Sequence, residues 1–196
     1  MKKLIYLHGY NSSPQSYKAQ ATLGYIRRYH PDVECFIPQL SASPAQVQQQ
    51  IHLLLDQSPS DNHHLSTFMI GSSLGGFYAN YWAEQLGCKS VMINPTVHPY
   101  RLLKDYLGPQ KNDVTGEEYT LTERHIEELE GLRVDSMAAS EQRMVLLQSA
   151  DETLDFLEAS GFYSGCKLVV ENGGDHTFIG YDRWLPAIAE FLNLSA

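Results

Sequence analysis

Short apolar runs alternate with helix-period patterns along most of the chain, and this alternation limits the fold more than any other feature. Runs at 4–7, 33–37, 68–70, 90–93, 143–148 and 167–170 read as buried strands. Helical spacing fills the gaps. Ser13-Pro14 and Ser43-Pro44 each place a capping serine before a proline suited to the first helical position. Helices are therefore expected over 14–28 and from Pro44 through Val47, Ile51, Leu54 and Leu55. A third helix, 74–86, ends at Gly87, and Leu185, Ile188, Ala189 and Leu192 mark a closing one. Strands separated by helices build a mostly parallel sheet with helices on both faces. A chain of 196 residues has room for one such α/β domain, 1–196.

The rhythm breaks over 96–142, where no strand pattern is visible. Thr120 with Glu123 resembles a capping box for a helix running to about Leu129. Eight acidic residues against three basic ones lie between Lys111 and Asp135, so −5 of the chain's −9 falls here. The expectation is a solvated helical insertion, 96–142, that caps a pocket.

Composition removes several classes of function. With 43% hydrophobic and 19% charged residues the chain is globular. A net charge of −9 repels phosphate backbones and anionic membrane surfaces, so no nucleic-acid partner is expected. No apolar run is long enough to span a bilayer. The run after Met1-Lys2-Lys3 is too short for a signal-peptide core, which points to a cytoplasmic protein. Cys35, Cys88 and Cys166 are odd in number and form no C-x-x-C, so they read as packing residues and not as a disulfide or zinc framework.

Chemistry concentrates in Gly71-Ser72-Ser73-Leu74-Gly75, a G-x-S-x-G pentapeptide between a strand and a helix. A nucleophile elbow requires that context. The glycine spacing centres on Ser73 and not on the neighbouring hydroxyl of Ser72. Of the eight histidines, His176 is the candidate base, because Asn172-Gly173-Gly174-Asp175-His176 follows the last strand and precedes the final helix. His30, His52 and His125 fit structural roles, and His63-His64 lacks metal-ligand spacing. Asp151 comes first in the loop after the fifth strand, where an acid must lie to hold the imidazole. Glu152 and Asp155 better suit a helix N-terminus, and Asp175 is expected to point away. The order Ser73, Asp151, His176 is that of the α/β-hydrolases. The oxyanion donors should be the N–H of Leu74 and one from the loop after the first strand, with Tyr10 preferred over Asn11 and the His8 side chain organising that loop.

The run Leu4-Ile5-Tyr6-Leu7-His8-Gly9-Tyr10-Asn11-Ser12-Ser13-Pro14, with Gly71-Ser72-Ser73-Leu74-Gly75-Gly76-Phe77-Tyr78-Ala79, resembles the YqiA-like bacterial esterases. Asp151-Glu152-Thr153-Leu154-Asp155 and Gly173-Gly174-Asp175-His176 are similar to further segments of that family. The resemblance implies a compact α/β-hydrolase fold, carboxylesterase activity and Ser73, Asp151 and His176 as the triad. Tyr10 stands where phenylalanine is more usual, a change to which a backbone N–H is indifferent. The sheet would start at the strand bearing the oxyanion loop, leaving out the larger fold's first two strands.

The resulting expectation is a serine hydrolase that cleaves small-molecule carboxylic esters or acyl thioesters through an acyl-enzyme on Ser73, without metal or organic cofactor. A fold does not prove activity. The alternative in another class is a non-catalytic binding protein of the same fold, and among enzymes a lipase or peptidase.

Overall fold

The computed structural model describes residues 2–56 and 67–194; His63-His64 lies outside the described residues. Six strands form one sheet: β1 (Lys2–Leu7), β2 (Val33–Phe36), β3 (Thr67–Ser72), β4 (Ser90–Ile93), β7 (Arg143–Gln148) and β8 (Lys167–Glu171). Their spatial order is β2-β1-β3-β4-β7-β8, and every neighbouring pair is parallel. β1, β3, β4 and β7 are central and their side chains almost wholly buried, which is why they read as continuous apolar runs.

Alternate residues of each strand face opposite layers. Leu4, Tyr6, Ile70, Ile93 and Leu146 pack against α1 (Tyr17–Tyr29) and α7 (Leu185–Phe191). Ile5, Leu7 and Met69 face the other way, against α2 (Pro44–Asp56) and α3 (Leu74–Leu86). Further along that layer, Val145 and Leu147 meet α6 (Phe156–Phe162). Burying one such aliphatic side chain is worth about 1.5–3 kcal/mol, so the two layers supply most of the driving force for closing the sheet. Gly87 ends α3 in the left-handed conformation expected of it (φ +59°).

α1 starts three residues later than the serine–proline pair suggests. The Ser13 hydroxyl accepts the Gln15 N–H at 3.1 Å and the Ser13 carbonyl accepts Ser16 N–H, so Pro14 occupies a turn and not the helix. At Ser43-Pro44 the same signal does open α2.

The 96–142 segment departs from a purely helical expectation. After the short helix α4 (Pro99–Leu102) it forms an antiparallel hairpin, β5 (Gly108–Lys111) and β6 (Glu118–Leu121). These strands were invisible because each is four residues long, half exposed, and in β5 consists of Gly-Pro-Gln-Lys. The turn is closed by the Asn112 side chain, which accepts Val114 N–H and Thr115 N–H at 3.0 and 3.2 Å. Helix α5 (Glu123–Glu130) follows. Its capping box uses Thr122 and His125, two residues later than the expected Thr120–Glu123 pair, and the His125 ring takes the role usually filled by glutamate. Ile126 and Leu129 are buried in the core shared with α2 and α3, while Glu128 accepts the Ala45 N–H near the start of α2. The acidic excess is partly paired within the segment, through Lys111–Glu118, Arg124–Glu128 and Arg133 with Glu130 and Asp135. Such exposed pairs contribute little to stability. The segment's end is held more firmly, by the fully buried Arg143, which donates to Glu84 at 2.6 Å and to the Ala139 carbonyl at 2.8 Å.

The turn from β3 into α3 has no room for side chains at its glycines. A Cβ on Gly75 would overlap the Leu7 and His8 carbonyl groups, and one on Gly71 would overlap the Gly75 backbone. Gly75→Ala is therefore expected to destabilise the fold by about 3 kcal/mol. Gly24, inside α1 with open space around its Cα, is the contrast, since alanine there should stabilise by about 0.5–1 kcal/mol. Urea unfolding of the two variants checks both signs.

Candidate active site

Ser73 stands between β3 and α3 with φ +56°, a left-handed backbone that costs a non-glycine residue about 1–3 kcal/mol. Its backbone is held on both sides. The N–H donates to the Ile93 carbonyl at 3.1 Å, and the Ser73 carbonyl accepts Gly76 N–H and Thr96 N–H at 2.9 and 3.2 Å. The turn lifts the side chain above the sheet's carboxyl edge. The adjacent Ser72 remains part of β3 and is buried.

His176 reaches this point from the loop after β8. Its Nε2 lies 3.1 Å from Ser73 Oγ, and its Nδ1 lies 2.8 Å from Asp151 Oδ2. Asp151 comes from the loop after β7, and its other oxygen accepts Thr153 N–H and Leu154 N–H, both at 2.8 Å. Burial would push this carboxyl up, but the hydrogen bonds from His176, Leu154 and Thr153 outweigh it and hold it below its ordinary value. The carboxylate is thus kept charged beside the imidazole. The three residues singled out in sequence therefore form one hydrogen-bonded chain. Asp155 is excluded from it and instead caps α6, accepting Leu157 N–H at 2.9 Å from the N-cap position itself, not from inside the helix. Asp175 accepts the Thr177 hydroxyl.

Three further residues hold this geometry, two of which, Gln148 and Asn94, carried no sequence signal. Gln148, the last residue of β7, accepts Asp175 N–H and Ile179 N–H at 3.1 and 2.9 Å and donates to Glu171 and the Ile179 carbonyl. Asn94 donates to the Asp175 carbonyl at 3.0 Å and accepts the Gln148 N–H at 2.9 Å. Glu152, expected only to favour a helix N-terminus, accepts the His176 N–H at 3.0 Å. The loop is coiled tightly through Gly173, Gly174 and Phe178, all at positive φ, and the buried Phe178 ring anchors it in the core. At Gly174 a Cβ would overlap the Gln148 side chain.

The loop after β1 passes directly over Ser73. A Cβ on Gly9 would sit 3.2 Å from Ser73 Cβ and 3.7 Å from Oγ. Tyr10 and Leu74 both border the space above Ser73. Leu74 is the first residue of α3, so its N–H has no acceptor within the helix. His8 is committed to holding the loop, with Nε2 accepting the Leu40 N–H at 3.0 Å and Nδ1 facing the Gly9 carbonyl at 3.0 Å. That pairing fixes the neutral Nδ1–H tautomer and occupies both nitrogens. The hairpin braces the same loop from above. Tyr10 Oη donates to Gln110, Tyr119 Oη donates to Asn11 at 2.9 Å, and Asn112 donates to the Ser12 carbonyl at 3.0 Å.

Two clefts meet at Ser73 and His176. One, of about 440 Å³, is walled by Leu74, Pro99, Leu102, Leu103, Tyr106 and Leu154. The other, of about 490 Å³, runs past Ser12, Ser16, Lys18 and Thr177. Among the described residues no group of three or more His, Cys, Asp or Glu side chains is placed to hold a metal ion, and no helix is long and apolar enough to cross a membrane. Cys35, Cys88 and Cys166 are free thiols.

A parallel sheet in this order, with a strained serine at a strand-to-helix turn and acid and histidine loops beyond later strands, defines the α/β-hydrolase fold. The chain belongs to the Uncharacterised protein family UPF0227, whose model matches residues 3–193, and this is the YqiA family that the motifs resemble. A UPF0227 protein of Vibrio parahaemolyticus is 28% identical over 202 aligned positions, covering 97% of this chain and 99% of the relative. Among solved structures, Est1E from Butyrivibrio proteoclasticus with ferulic acid bound superposes with a TM-score of 0.74 at 13% identity, over 98% of this chain and 88% of that one. The Pyrococcus furiosus esterase Pf2001 does so with a TM-score of 0.66 at 16% identity, over 98% and 81%. At these identities the likeness concerns the fold.

Burial holds the His8 imidazole below its ordinary value of 6.5, more than the Gly9 contact raises it. As pH falls, the unfolded chain takes this proton first. The stabilisation from neutral His8 is therefore complete above about pH 6.5 and is lost below it. The melting temperature should fall as pH drops from 7 to 5, and His8→Gln should flatten that slope; thermal melts of both proteins across the range provide the check.

Proposed function

We propose that the protein is a serine hydrolase of carboxylic esters or acyl thioesters. The observation that carries this reading is the Ser73 Oγ–His176 Nε2–Asp151 chain, with links of 3.1 and 2.8 Å, at a strained turn open to two clefts. His176 Nε2 takes the Ser73 proton as Oγ attacks the acyl carbonyl. Asp151 holds the ring so that Nε2 faces the serine and stabilises the imidazolium that forms. The N–H groups of Tyr10 and Leu74 receive the developing oxyanion. His176 then passes its proton to the leaving oxygen or sulfur. Water, deprotonated by His176, releases the acid and restores Ser73. None of these steps calls on a metal or organic cofactor. The 96–142 segment acts as a cap, because Pro99, Leu102, Leu103 and Tyr106 wall the apolar cleft. The Pyrococcus furiosus esterase Pf2001, which shares the fold, agrees with this chemistry. A non-catalytic role would leave the strain at Ser73 and the charged Asp151 behind His176 without a purpose.

A fluorophosphonate probe should add one label to the folded protein, at Ser73. A label on Ser72, or none, contradicts the reading. Turnover of short acyl esters should disappear in Ser73→Ala while its melting temperature stays near wild type.

The acid assignment has its own test. Amidating the acid of a well-studied triad costs about 10⁴-fold in turnover. Asp151→Asn should lose roughly 10²-fold or more, and Asp155→Asn, a helix cap, under roughly 10-fold, at ~1.4 kcal/mol per tenfold. Steady-state kinetics with melting controls distinguish them.

A further inference from the structure

The two clefts that meet at Ser73 differ in the charged group each holds. The one under the cap is walled by Leu74, Pro99, Leu102, Leu103, Tyr106 and Leu154, with the Glu152 carboxylate in its lining. The other combines the Tyr6, Tyr10 and Tyr17 rings with the Ser12 and Ser16 hydroxyls and a single cation, Lys18. Lys18 lies in the first turn of α1, and its Nζ donates to the Thr177 carbonyl, the residue after His176, at 2.7 Å. An ammonium has three protons to donate. Among the described residues no carboxylate lies within ion-pair distance of it. The acids that face it are Asp175 and Asp151, the second already engaged by His176. Their attraction does not offset burial, which brings the ammonium down to about 8. The cation is thus partly desolvated, has no carboxylate in direct contact, and lines the same cleft as Ser73 and His176.

We propose that Lys18 is a specificity-determining residue, and that the substrate is an ester or thioester with one apolar arm under the cap and one arm ending in a carboxylate or phosphate that pairs with the Lys18 ammonium. The inference rests on the hydrolase reading for its reacting bond, but the binding it describes does not depend on turnover. An anionic group in the cleft pairs with the ammonium directly and accepts its spare N–H donors, a charge-assisted contact. Ser12 and Ser16 offer further hydroxyls along the same wall. A neutral substrate leaves the ammonium as it is and gains none of this.

The test uses hexyl hemisuccinate and the hexanoyl ester of 2-hydroxyethyl phosphate as anionic probes, with hexyl methyl succinate as the neutral partner. For the wild-type protein, kcat/KM should be higher for at least one anionic probe than for the neutral ester. In Lys18→Met the ratio of anionic to neutral kcat/KM should fall roughly tenfold or more, and in Lys18→Arg it should recover in part. The carboxylate and phosphate probes show which anion the site prefers. A parallel measurement keeps the two readings separable: calorimetric binding of the hemisuccinate to Ser73→Ala, and its weakening by a similar factor in Ser73→Ala/Lys18→Met. If Ser73 takes no fluorophosphonate label yet this Lys18-dependent binding is present, the hydrolase reading falls and the anion site stands. If Ser73 labels and esters turn over, but Lys18→Met lowers the two classes equally or the wild type shows no anionic preference, the proposal is wrong.

Discussion

Everything at the site depends on two backbones touching where no side chain fits. The first turn of α3 lies against the end of β1 so closely that Gly75 meets the Leu7 and His8 carbonyl groups, while Gly71 faces Gly75 across the turn. That contact sets how far α3 can approach the sheet. It also brings the residues after β1 over the start of the helix, so that Gly9 lies against Ser73 and Tyr10 borders the space above it. The serine's strained backbone follows from the same closeness, since the chain must reverse within one residue. The strain is sustained by four hydrogen bonds to the Ser73 peptide groups and by the packing of β3 and α3 on either side.

The imidazole is placed by a different kind of constraint. The loop that carries it leaves an edge strand, which has a neighbour on one side only. Rigidity comes instead from the more central strands, whose last residues turn their amides toward the loop. Gln148 and Asn94 bond to each other and to the loop backbone, and Glu152 holds the His176 N–H. The geometry at Ser73 is thus transmitted from the ends of β4 and β7 through side-chain amides. Each of these is buried or half-buried and satisfied, as a polar group in such a place must be.

The sequence made some of this legible and hid the rest for physical reasons. Strands buried on both faces need an unbroken apolar middle, so β4 and β7 were legible from Val91–Ile93 and Met144–Leu147. Helix α3 was bounded by the elbow glycines on one side and Gly87 on the other. That Ser73, Asp151 and His176 would converge was legible because each sits just past a recognisable strand. The hairpin was not, because its strands bury little and owe their pairing to the Asn112 turn and to contacts with residues about a hundred positions earlier. The start of α1 was misplaced because serine before proline serves a turn as readily as a helix cap. Gln148 and Asn94 escaped notice, and Glu152 was read only as a helix-terminal charge, since a polar residue at or after a strand end looks like any solvated one until the loop it holds is in place.

The bonds between the hairpin and the loop after β1 join residues 10–12 to residues 110–119. Contacts so distant in sequence form only after the intervening chain has been gathered in, and their loop-closure cost is met by the sheet and α3 between them. The loop over Ser73 is therefore braced only when the hairpin is docked on it. A chain with its sheet complete and its serine already strained, but its hairpin undocked, would still lack a braced roof over that serine.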